Sequence, residues 1–159
     1  MSLGPVPGYL LPDTASGVDG RLSIGGVDVI DLAEQYGTPL FVYDEQHLRA
    51  RCREAVDAFG DGVAYATKAF LSQAMARLAW EEGMHLDVAT GGELHVALSA
   101  GVPAERLVMH GNNKSTAELA MALDAGVGRI VLDSFDEIGR IEALVAEGKA
   151  APQVLVRLN

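Results

Sequence analysis

A parallel α/β fold is predicted by three features: apolar runs at even spacing, capping signals at the start of the segments between them, and glycines at their ends. The runs occupy residues 63–67, 85–89, 106–109, 129–132 and 153–157. They recur about every 20 to 25 residues, the repeat of a strand followed by a helix. Thr90 with Glu93, Ser115 with Glu118, and Ser134 with Glu137 have the spacing of a capping box, in which each end of the pair satisfies an orphan backbone N–H. Gly83, Gly101, Gly126 and Gly148 stand where the intervening helices should end. Alternation of this kind specifies a parallel sheet with crossover helices.

Ahead of the repeat, the first twenty or so residues are rich in Gly, Pro, Asp and Ser and predict a loose arm with turns. Residues 22–24 and 27–30 are candidate short strands around the Gly25-Gly26 turn. Residues 38–43, Thr-Pro-Leu-Phe-Val-Tyr, are β-branched and aromatic and predict a further strand. Asp44 then caps a helix that runs to about Phe59 and stops at Gly60. The organisation expected is an N-terminal arm and strand over 1–43, then a βα domain over 44–159.

Two parallel architectures remain open on pattern alone, a doubly wound open sheet and a closed barrel. The G-x-G-x-x-G fingerprint of dinucleotide-binding sheets does not follow the first strand. A barrel needs eight strands and about 250 residues. The sequence supplies four βα units and a fifth strand and ends within that strand, so it is expected to be part of a longer chain.

With 49% hydrophobic and 21% charged residues, the 159-residue chain has the composition of a globular protein. A formal net charge of −10 argues against a nucleic-acid surface, which needs clustered Lys and Arg. The single cysteine, Cys52, forms no internal disulfide, has no motif around it, and fits a packing or surface role in a reducing compartment. No secretory leader pattern and no apolar run of about 18 residues are present, so a cytoplasmic protein that does not engage membranes is expected.

Lys68 is the first candidate for chemistry. It ends the 63–67 run, and alternation places it on the face of Ala64 and Ala66, above two small side chains. Active sites of βα barrels lie at that end of the strands, and an amine partly withdrawn from water there becomes a nucleophile for an aldehyde. A lysine that merely ends a strand and reaches solvent fits the position as well. Asp87 interrupts the apolar Leu86-Asp87-Val88, and a carboxylate there needs a partner or an exposed face. Arg157 ends the fifth run, suited to a phenolate or carboxylate oxygen or to a nearby acid. The Thr90-Gly-Gly-Glu93 turn fits simple capping better than an anion site. His110-Gly-Asn-Asn-Lys114 follows the third run and is unusually polar and compact for a linker. The four histidines lack metal-ligand spacing, so no metal is proposed.

Three segments together, Tyr65-Ala-Thr-Lys-Ala-Phe70, Leu86-Asp-Val-Ala-Thr-Gly-Gly-Glu-Leu94 and His110-Gly-Asn-Asn-Lys-Ser115, resemble the diaminopimelate decarboxylases. These belong to the fold-type III pyridoxal-phosphate enzymes, the alanine racemase/ornithine decarboxylase-like group. The likeness runs from about Thr38 to the end of the chain. It implies a (β/α)8 TIM-type barrel, incomplete here, with residues 38–43 as a strand that joins a later β domain. It implies pyridoxal 5′-phosphate as cofactor, with Lys68 bonded to its aldehyde. Ala66, Asp87, His110, Asn112 and Arg157 are then the expected cofactor-binding positions. The implied reaction is decarboxylation of meso-2,6-diaminopimelate to L-lysine, in a full-length homodimer. Ornithine, arginine or a carboxylated polyamine are alternative substrates, and a catalytically dead half-barrel that binds a partner is a third possibility. The later histidine, the glycine-rich phosphate loop, the acid facing the pyridine nitrogen and the C-terminal cysteine of the family have no counterpart here, so the chain alone is expected to be inactive and marginally folded.

Overall fold

The structure, a computed structural model, describes residues 6–158; the start of the expected arm and Asn159 lie outside the described residues. The chain divides into two compact units, one up to Glu54 and one from Ala55 onward. The division falls inside a helix.

In the first unit, strands β1 (Ser16–Val18), β2 (Arg21–Ile24) and β3 (Val27–Asp28) form an antiparallel sheet in that order. The β2–β3 hairpin turns at Gly25 and Gly26, both at positive φ, as a two-residue hairpin turn requires. The strand expected over 27–30 stops early. Asp28 accepts the N–H groups of Ile30 and Asp31 and starts helix α1 (Val29–Tyr36). Valine and isoleucine made this segment look like a strand; the aspartate cap decides otherwise. Residues 38–43 are not a strand either: they have no sheet partner among the described residues, and a lone extended segment has no ladder to hold it. Helix α2 (Glu45–Phe59) begins as expected, with the Asp44 carboxylate accepting the His47 N–H at 3.1 Å. The Thr14 hydroxyl donates to the same carboxylate and holds its pKa below the usual range. Cys52 is buried, in keeping with a packing role.

The second unit holds all five expected strands: β4 (Ala64–Ala66), β5 (His85–Val88), β6 (Leu107–Met109), β7 (Arg129–Leu132) and β8 (Val154–Val156). Between them run α3 (Gln73–Glu81), α4 (Gly91–Ser99), α5 (Thr116–Ala125) and α6 (Phe135–Ala146). Every strand pairs in parallel with the next in sequence, with no reversal of order. A doubly wound sheet reverses its order at a switch point, whereas consecutive pairing with right-handed crossovers puts all helices on one face. The sheet is therefore an arc of an α/β barrel.

Register assigns the faces. Leu86, Val88, Leu107, Met109 and Ile130 point one way, each with no exposed surface, and pack under the helices with Ala76, Leu94 and Leu119. Each such aliphatic side chain contributes about 1.5–3 kcal/mol by leaving water. Ala66, Asp87 and Val108 share the opposite, concave face and are only half-buried. Along the outer edge, Val154, Leu155 and Val156 remain exposed.

Helix termini follow the expected chemistry with one refinement. Ser115 and Glu118 form a complete capping box. Thr90 and Ser134 accept the N–H of Glu93 and Glu137, but those glutamates reach one residue further back, to the N–H of Ala89 and of Asp133. The four helix-ending glycines all take positive φ.

Candidate functional site

Because the five strands are parallel, their C-terminal ends lie along one rim, and the sequence-predicted residues gather there. Ala66 is the last residue of β4 and stands in register with Asp87 of β5. Beyond Ala66 the chain leaves the strand for a 3-10 turn, Thr67–Ala69, so Lys68 does not continue the strand's alternation as expected. Thr67 carries that turn: it is buried, and its hydroxyl donates to the Asp87 carbonyl at 2.9 Å. Tyr65 closes the turn from the other side, donating from its hydroxyl to the Phe70 carbonyl at 2.6 Å. Lys68 between these anchors is exposed, not withdrawn from water, and makes no hydrogen bond or ion pair among the described residues.

Asp87 is the centre of the rim. One carboxylate oxygen lies 3.2 Å from His110 Nδ1, and the other is buried with no hydrogen-bond partner among the described residues. His110 follows β6, its backbone N–H donating to the Val88 carbonyl at 2.8 Å. A carboxylate beside Nδ1 favours the tautomer with its proton there. Gly111 follows at φ +96, and a Cβ at that position would stand 2.9 Å from the Ala89 carbonyl oxygen. Only glycine lets the loops after β5 and β6 approach so closely. Asn112 is exposed, with no hydrogen bond among the described residues. Arg157 lies just past β8 and pairs with Asp133 at 2.9 Å, the nearby acid that the sequence left open as its partner.

Two buried residues escaped the sequence. Lys114 and Glu137, 0% and 2% exposed at their side chains, form an ion pair at 2.9 Å. A lysine in a polar loop looks like a solvated one in sequence, and Glu137 had been assigned only to a cap. The Thr90-Gly-Gly-Glu93 turn serves as a cap: Thr90 accepts the Glu93 N–H, and the Gly91 N–H goes to the Glu118 carboxylate at 2.8 Å. That bond, with those from Ser115, holds the Glu118 carboxyl below the ordinary range.

A concavity of about 480 Å³ lies at the opposite, N-terminal ends of the strands, lined by Asp61, His85, Arg106 and Arg129 among others. Its charges are largely committed: Arg106 pairs with Asp61 at 2.6 Å, lowering the Asp61 pKa, and donates to the Gly83 carbonyl. In a βα barrel that end serves stability, so the chemistry belongs to the rim. No helix among the described residues is long and apolar enough to cross a membrane.

Residues 45–159 match the family model of the pyridoxal-dependent decarboxylase, pyridoxal binding domain. The chain belongs to the pyridoxal-dependent decarboxylases. Within that family it is 55% identical over 142 residues to the diaminopimelate decarboxylase of Mycobacterium tuberculosis, covering 88% of this chain and 32% of the relative. It is 52% identical over 145 residues to that of Bacillus subtilis, covering 88% and 33%. Among solved structures, the diaminopimelate decarboxylase from M. jannaschii in complex with L-lysine superposes with a TM-score of 0.82 at 35% identity, over 92% of this chain and 36% of that one. The chain spans about a third of the length of the curated decarboxylases it matches.

Proposed function

We propose that the chain is the cofactor-bearing part of a diaminopimelate decarboxylase, which releases CO2 from meso-2,6-diaminopimelate to give L-lysine. The observation that supports this is the His110–Asp87 contact at the ends of β5 and β6, with Lys68 two residues past Ala66, which stands in register with Asp87, in a chain that belongs to the pyridoxal-dependent decarboxylases. The rim suits pyridoxal 5′-phosphate in two respects. Among the described residues, the Lys68 amine has no partner and one buried Asp87 oxygen has no hydrogen-bond donor. A buried acceptor left unpaired costs about 1–3 kcal/mol, which a polar ligand atom would recover.

Pyridoxal phosphate, when bound, supplies the electron sink for the pair left as CO2 departs. Lys68 is the residue that would bond covalently to it. Thr67 fixes the turn that presents the amine, and Ala66 leaves space beside it. Asp87 orients the His110 ring through Nδ1. Arg157, positioned by Asp133, and Asn112 complete the set of side chains expected near the cofactor. The small-molecule substrate is an amino acid, the whole enzyme is a homodimer, and the compartment is the cytoplasm.

The complete gene product, treated with pyridoxal phosphate and borohydride and then peptide-mapped, should carry the label on Lys68. Label on Lys114 would overturn the assignment. Assay of the same protein with diaminopimelate, ornithine and arginine should show turnover of diaminopimelate alone; preference for either other substrate would remove the substrate reading and keep the cofactor one.

A further inference from the structure

We propose that the buried Lys114–Glu137 pair is a positioning device that holds His110 and Arg157 in place across three consecutive strand ends. The proposal rests on the functional reading given above, in which both residues serve the cofactor site. Lysine has three N–H donors, and all three are matched here. Lys114 Nζ donates to the Gly111 carbonyl at 2.7 Å and the Val131 carbonyl at 2.8 Å, and pairs with Glu137 Oε1 at 2.9 Å. The first acceptor adjoins His110 in the loop after β6, and the second lies in β7. Glu137 Oε2 accepts the backbone N–H of Asp133 at 3.1 Å, and the Asp133 carboxylate holds Arg157 beyond β8. One ammonium and one carboxylate therefore connect the residues that follow β6, β7 and β8.

Lys114 plays no part in starting a helix, and the Glu137 carboxylate bonds one residue before the Ser134 cap, to Asp133. Ser134 accepts the Glu137 N–H at the start of α6, and α5 begins with the Ser115 box. Nor does a buried ion pair add much net stability, since apolar residues of similar volume often do as well or better. What it adds is direction. Each bond has a fixed length and angle, and the acceptors belong to separate segments that hydrophobic contact alone would let slide. Arg140 extends the arrangement by donating to the Lys114 carbonyl from α6. Lys114 and Glu137 touch no reacting atom, so they are positioning residues.

The test uses the complete gene product with both charges removed, Lys114→Met with Glu137→Leu, so that no lone charge is left buried. Glu137→Gln serves as a shape-preserving second variant. Hydrogen exchange of the cofactor-free protein should speed up at least about tenfold in residues 110–115 and 131–134 while the rest of the barrel stays protected. Decarboxylation kcat should fall about 10- to 100-fold, the usual effect of loosening a supporting shell. Glu137→Gln, which keeps the shape but only one of the two acceptor oxygens and leaves Lys114 without its counter-charge, should loosen residues 131–134 as well. Unchanged exchange in the double variant would overturn the proposal, as would faster exchange throughout or failure to fold, because the pair would then act on global stability. Localised loosening in a protein whose unaltered form decarboxylates none of the tested amino acids would uphold the positioning role and overturn the functional reading alone.

Discussion

Gly111→Ala should be among the most damaging small substitutions at the rim. Gly111 sits at φ +96, where an L side chain costs about 1–2 kcal/mol. The added Cβ would also lie 2.9 Å from the Ala89 carbonyl oxygen, closer than real Cβ atoms come to any neighbour. That neighbour is backbone after β5 and cannot rotate aside, so overpacking adds about 1–3 kcal/mol. The sum is about 2–5 kcal/mol. For a barrel-sized domain, each kcal/mol lowers the melting temperature by about 2–4 °C, so the expected drop is about 4–20 °C. Gly139→Ala is the internal control: this glycine lies within α6 at ordinary φ, with nothing within 4 Å of its would-be Cβ, and alanine there should stabilise by about 0.5–1 kcal/mol. Calorimetry of both variants in the complete gene product provides the comparison. Gly111→Ala also displaces His110 from Asp87, so its activity should fall more than its stability explains. A Gly111→Ala protein that melts with the unaltered one would refute the close approach of the two loops.

Lys114→Met alone should cost about 3–5 kcal/mol in thermal or urea unfolding, because it leaves the Glu137 carboxylate buried without its counter-charge. Thr67→Val keeps volume but loses the hydroxyl bond to the Asp87 carbonyl; about 0.5–1.5 kcal/mol of stability should go, and borohydride labelling of Lys68 should slow. Glu118 gives a pH signature. Its carboxyl is depressed in the folded protein, first by the Gly91 N–H and then by Ser115, so the unfolded chain binds the proton more readily. Its contribution is complete above the ordinary glutamate range, near pH 4.5, and disappears as pH falls through the folded value. Glu118→Gln should therefore flatten the loss of stability below about pH 4.5; an unchanged slope would show that the Gly91 bond does not bias the proton.

The repeat in the second unit was legible in the sequence because its signals are local. Each strand is a short apolar run, three of the four helices open on Thr or Ser three residues before Glu, and each closes on a glycine at positive φ. The candidates Lys68, Asp87 and His110 were legible for a related reason: parallel strands put every run's last residue on one rim, so position in the run predicts position in space. Helix α1 was misread because valine and isoleucine favour strands, whereas Asp28 starts a helix; segment 38–43 pairs with no strand among the described residues. Tertiary structure alone decided the rest. Lys68 is exposed in a 3-10 turn past the end of its strand, Arg157 turns to Asp133, and Lys114 is buried because Glu137 and two carbonyls from different strand ends satisfy it. Caps, strands and their ends depend on neighbours a few residues away, which the sequence displays. The state of a charged side chain depends on what the fold brings to it from far along the chain.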